Sequence, residues 1–211
     1  MSDRNEYLAV VARDEIANIR DFKKFREADL EAYGYERWRF HYRLTEPCLY
    51  YQRILRSVEL LRALGFRRLG LVRRVYLKWV GIILGISIPP GVFGRGLSIP
   101  HYGSIVVNDK VRAGKYCRIH SSTNLGEQNG GAPSLGDGVY IAPGAVLYGD
   151  IRVGDRSVVG ANSVVSRDVP ADVTVAGAPA QVVSAKSSLQ VMPRWISNAI
   201  ERGVPSNSRM E

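Results

Sequence analysis

Three histidines carry the acid–base chemistry most available to this 211-residue chain: His41, His101 and His120. An imidazole exchanges a proton near neutral pH, which an unperturbed carboxylate or lysine does not. None of the three has carboxylates at close ligand spacing, and Cys48 and Cys117 match no metal pattern, so no metal site is expected. The sequence has neither a GxGxxG nor a GKS/T loop, which argues against dehydrogenase and kinase chemistry. His41 lies among aromatics in YERWRFHY and reads as structural. His101 stands in PHYGSIVVN, and His120 directly follows an aliphatic residue, Ile119.

The elements that must position them are announced by a period of six. Leu135, Ile141, Leu147, Val153, Val159 and Val165 are all aliphatic, and Val107, Ala113, Ile119 and Leu125 keep the same spacing upstream. A helix repeats at about 3.6 and a strand at about 2, so neither alone explains six. A triangular prism does, with one short strand and one turn per face and the aliphatic residue inward. Three hexapeptides close one coil, and successive coils stack as parallel strands. Leu125 and Leu135 are ten apart, so four extra residues leave the coil as an external loop near 126–134. The phase turns His120 outward and places it almost one coil plus one residue beyond His101. The two are expected near one edge on neighbouring coils.

The remaining chain divides around this repeat. Residues 1–80 read as helical, 81–180 as the solenoid, and 181–211 as a polar tail. Candidate helices cover Asp3–Asn18, Asp21–Tyr33, Leu49–Leu64 and Leu69–Leu84, and PRWISNAIERG fits a short helix on the last coil. The final PSNSRME reads as disordered. Net charge is +9, and residues 1–80 hold 17 basic against 11 acidic side chains. The densest stretch has Arg62, Arg67, Arg68, Arg73, Arg74 and Lys78 with no acid. It is compatible with a solvated face, a subunit contact or peripheral membrane association. With no accompanying motif, nucleic acid is not expected as a partner. The absence of a secretory leader pattern or a spanning apolar run, with two free thiols, makes the cytoplasm the expected compartment. A solenoid offers few pockets of its own, whereas prisms side by side make clefts. A homotrimer is therefore expected, with a hexamer as the larger possibility.

From about residue 82 to 180 the chain resembles the hexapeptide-repeat acyltransferases, and within them serine O-acetyltransferases and related polysaccharide O-acetyltransferases. The segments that carry this are GISIPPGVFGRGLSIPHYGSIVVN, GDGVYIAPGAVLYGDIRVGDRSVVGANSVVSRDVP and the closing GAPA. The resemblance implies a mainly β fold, a left-handed parallel β-helix with an N-terminal helical region. It also implies transfer of an acetyl group from acetyl-CoA to a hydroxyl, with no metal required. The implied acceptor is serine-like; a polysaccharide sugar or specialised metabolite is the alternative, and a non-catalytic solenoid assembly protein is a further one.

The resemblance singles out His101 as general base. His120 follows as a group that binds the acceptor or the thioester oxygen, with a structural role equally open. It implies cofactor contacts at Ala142, Gly144, Gly149, Gly160 and Ala161, where small residues let pantetheine approach the backbone. Arg152, Arg156 and Arg167 are candidates for its phosphates. Ser87 and Tyr102 are candidates on the acceptor side. Three positions depart from the serine enzymes' pattern: Ser87 stands for an aspartate that orients the base, Pro100 for an aspartate just before it, and Ala132 for a second histidine. These departures bear on the acceptor more than on acetyl transfer.

Overall fold

The computed structural model describes residues 14–203. The helices α1 (Ile19–Glu31), α2 (Tyr42–Thr45), α3 (Pro47–Ala63) and α4 (Arg67–Leu84) come first. Asn18 starts α1 by accepting hydrogen bonds from the amides of Arg20 and Asp21. Proline opens α3, where its missing N–H costs nothing. Gly85 ends α4 with φ 68°, a left-handed cap that glycine adopts without strain. The expected helix over Asp3–Asn18 lies mostly outside the described residues, and its described end, 14–18, is not helical. PSNSRME also lies outside them.

The repeat folds as expected, into a parallel β-solenoid with three faces. The first face stacks β1 (Ile86–Ser87), β2 (Ile105–Val107), β5 (Asn124–Gly126), β8 (Val146–Tyr148) and β11 (Val164–Val165). The second has β3 (Arg112–Ala113), β6 (Ser134–Leu135) and β9 (Arg152–Val153). The third has β4 (Arg118–Ile119), β7 (Tyr140–Ile141), β10 (Val158–Val159) and β12 (Thr174–Gly177). The inward residues stack on one another: Val107 on Leu125 on Leu147 on Val165, and Ile119 on Ile141 on Val159 on Val175. All are buried in one continuous core.

Two of the interruptions of the period bear on the site. The four-residue insertion falls between Leu125 and Leu135, where Gln128 and Gly131 pair antiparallel and close the external loop. The second interruption lies at His101. Ser98 pairs with Arg118, twenty residues on, whereas Val107 pairs with Leu125, eighteen on. The corner from the third face to the first is thus two residues longer at His101 than at His120. The surplus pushes His101 and Tyr102 out into solvent.

Helices dock on the first coil through a buried charge cluster. Arg56 on α3 donates to Asp29 of α1, to Glu59, and to the carbonyls of Phe93 and Gly94. Asp29 also accepts from the amides of Gly96 and Leu97, and Glu59 from Gly91. The chain closes with β13 (Ala180–Ser184), antiparallel to β12, and α5 (Arg194–Gly203). The C-terminal helix exists as expected, but not on the last coil. Ile196 and Ile200 pack with Ala32 against Tyr116 and Tyr140, because β13 turns the chain back along the third face.

Candidate active site

The corner joining the third face to the first brings both histidines together. Their ring centroids are 6.1 Å apart. His101 is exposed in the widened turn, with Tyr102 exposed beside it. His120 sits one coil on, fixed by its amide to the carbonyl of Ile141 and by Thr123 Oγ1 donating to its own carbonyl. The ring of Tyr140 lies 5.1 Å from that of His120. His120 Nε2 is buried, and among the described residues it has no hydrogen-bond partner. Burial first, then the charges of Arg118 and His101, push its pKa down to about 4. The imidazole of His120 is therefore neutral near pH 7, with an unsatisfied nitrogen. A buried polar atom without a partner is costly, so this one is suited to receive a ligand group.

Arg118 and Tyr140 join the site without having been singled out from the sequence. Arg118 donates to Ser98 Oγ at 2.8 Å and acts electrostatically on His120. Both residues precede inward positions, Ile119 and Ile141, and are register partners on the third face. The period of six, read for its outward neighbours, already contained them.

The small residues divide between edges. Ala142 stacks above His120 in the same register column, and Gly160 above Ala142, through the amides of His120 and Ala142, which donate to the carbonyls of Ile141 and Val159. Gly144 and Ala161 lie in the same corner, so four of the five candidates line the histidine edge. Gly144 has φ 75°, a left-handed conformation that glycine adopts without strain. Gly149 does not join them; it lies between the first and second faces, against Gln128 of the external loop. That loop and the exposed Arg167 share this other edge, so the insertion does not border the histidines of its own chain.

The arginines do not form one phosphate site. Arg156 occupies the third edge, between the second and third faces, and its Nε and Nη2 bind both oxygens of Asp172 at 2.7 and 2.5 Å. Its carbonyl accepts from Ser188, so it is a clamp for the C-terminal segment. Arg152 lies on β9 with its amide on Asp168. Arg167 keeps a place on an edge that a cosubstrate could reach. Ser87 lines a groove of about 680 Å³ between β1 and α4, with Leu77, Lys78 and Ile82.

Comparison with known proteins bears on this architecture. Residues 132–167 match the bacterial transferase hexapeptide model of six repeats. A serine acetyltransferase of Helicobacter pylori is 35% identical over 131 residues, covering 60% of this chain and 77% of that protein. The chain belongs to the serine acetyltransferase family. A Synechococcus elongatus serine acetyltransferase is also 35% identical, over 132 residues, but the match spans only 54% of its length and 60% of this chain. The chain thus matches about half of that longer family member. A soybean serine acetyltransferase solved in complex with serine superposes with a TM-score of 0.64 at 30% identity, over 77% of this chain and 69% of that one. Within the serine acetyltransferase family pattern, Pro100 directly precedes the widened histidine corner. Ala132 sits in the external loop on the other edge.

Proposed function

We propose that this protein is an acetyl-CoA-dependent O-acetyltransferase. The observation that carries the proposal is the pairing of an exposed His101 with a neutral, partly buried His120 at one solenoid corner. Two features support acetyl-CoA as the cosubstrate here: the buried His120 Nε2 has no hydrogen-bond partner among the described residues, and the small residues Ala142, Gly160 and Ala161 follow at the same corner. Acetyl-CoA supplies a thioester carbonyl when bound. His101 takes the proton from the acceptor hydroxyl as its oxygen attacks, and returns that proton to the departing sulfur. No covalent intermediate on the chain is needed. His120, held neutral, adds no second positive charge beside the imidazolium that His101 becomes.

Serine is one candidate acceptor, supported by the family and by the serine complex of the soybean relative. A sugar hydroxyl is the second reading, favoured by Ser87, Pro100 and Ala132, which replace two aspartates and a histidine of the serine enzymes' pattern. Release of CoA thiol from acetyl-CoA, with L-serine and with a panel of sugars and amino sugars, separates the two. His101→Ala is expected to lower kcat by about 10²–10⁴-fold. An unchanged rate would remove His101 from the role of base, and failure to bind acetyl-CoA would sink the proposal as a whole.

We further propose that the cleft forms between copies of a homotrimer. The histidine edge of one prism would face the edge of the next that carries the loop and Arg167.

A further inference from the structure

Helix α4 exposes an apolar face far larger than its docking on the solenoid uses. Only Leu77 and Gly81 of this helix are buried. Leu69, Leu71, Val72, Val75, Tyr76, Trp79, Ile82 and Ile83 are exposed, with Val72 at 67%, Trp79 at 63% and Ile83 at 79%. At about 100° per residue these eight span an arc of roughly 160°. Soluble monomers rarely expose so wide an apolar face without a partner.

The charges around this arc say what kind of partner it fits. Arg73 flanks one side, Arg67, Arg74 and Lys78 flank the other, and Arg68 lies within it. The helix has no acidic residue. Among the described residues no salt bridge engages any of these five cations. A second copy of the same face would bring like charges together. An anionic lipid surface would neutralise them while burying the apolar arc, with long Arg and Lys stems reaching up to the headgroups. The patch also continues past the helix. Tyr76 Oη is 3.0 Å from Tyr50 Oη, and Arg43 bridges the rings of Tyr50 and Phe40. Phe40 is 74% exposed and Leu44 87%. No helix among the described residues is long and apolar enough to cross a membrane, so the geometry is that of an element lying in the interface.

We infer that α4, with the Phe40–Leu44 segment, docks this protein on an anionic bilayer. Because the amide of Gly103 donates to the carbonyl of Leu84, the end of α4 abuts the His101 corner, and docking holds that corner beside the lipid. The inference does not depend on the proposed activity, and its test uses none.

The test is flotation of the whole protein with vesicles of phosphatidylcholine alone and of phosphatidylcholine with an equal share of phosphatidylglycerol. Binding to the anionic vesicles only, weakening as salt rises, is the expected result. Combining Val72→Glu, Trp79→Glu and Ile83→Glu is expected to abolish it while circular dichroism and solution mass stay unchanged. Should that variant fail to fold, combining Arg67→Gln, Arg68→Gln, Arg74→Gln and Lys78→Gln decides. Its partitioning is expected to fall on the order of 100- to 1000-fold. Absence of flotation with anionic vesicles would overturn the inference. So would flotation that neither variant changes, or a glutamate variant whose loss is of oligomeric mass, which would make the face a subunit interface.

Discussion

At the scale of single residues, the two histidines differ in what the fold does to them. His101 is pushed into solvent by a corner two residues longer than its neighbour. His120 is drawn back among Tyr140, Arg118 and the coil edge, and is held neutral there. This has a consequence for stability. In the unfolded chain His120 titrates near the ordinary value of about 6.5; folded, it titrates at about 4. Between these values the unfolded state binds more protons, so stability falls as pH drops from about 6.5 to about 4. His120→Gln removes that contribution. Urea denaturation is expected to show wild type and variant losing stability at different rates in this window, wild type the faster, and in parallel above pH 7. Solvent reaching the half-exposed ring reduces the difference to about 1 kcal/mol or less. Parallel behaviour throughout would mean that His120 titrates normally. The sequence placed His120 correctly, facing outward near His101, because its phase depends only on Ile119. It could not show that burial and Arg118 would set its charge, since both come from neighbouring coils.

At the scale of elements, the coil was legible and the docking of the helices was not. A period of six fixes which residues point inward, so the columns through Leu147 and Ile141 and the loop after Leu125 could be drawn in advance. The widened corner at His101 lies before Val107, the first residue of the regular series, so the period could not locate it. Arg56 gave no indication at all. It lies in the middle of an amphipathic helix, between the half-buried Arg53 and the exposed Arg62, and only the structure shows it fully enclosed with Asp29 and Glu59. Burial opposes its charge, yet the two carboxylates together raise its pKa above the ordinary arginine value. Removing it leaves two buried carboxylates without their cation. Arg56→Ala is therefore expected to cost about 3–5 kcal/mol in urea unfolding. The exposed Arg62→Ala on the same helix should stay within about 0.5 kcal/mol. A small loss at Arg56 would show that the helices are held to the first coil mainly by apolar contact.

At the scale of the whole molecule, the three edges of the prism have different equipment, and that difference makes a quantitative prediction. One edge carries His101 and His120; the edge between the first and second faces carries the external loop, Gly149 and Arg167. A single rigid prism cannot turn both toward one ligand, but a threefold assembly can set one edge against the other in each of three clefts. Light scattering should then give a mass three times the 23.4 kDa of the chain. The sharper test uses two impaired variants, His101→Ala on one edge and Arg167→Glu on the other. Each alone is expected to be slow, the first in kcat and the second through a raised KM for acetyl-CoA. When equal amounts are unfolded together and reassembled, a cleft is intact only if its histidine edge comes from an Arg167→Glu chain and its other edge from a His101→Ala chain. Random assembly makes roughly one cleft in four so composed, and the mixture should recover on the order of a quarter of the wild-type rate. If one chain supplied both edges, every cleft would keep a defect. The mixture would then give only the mean of the two variants.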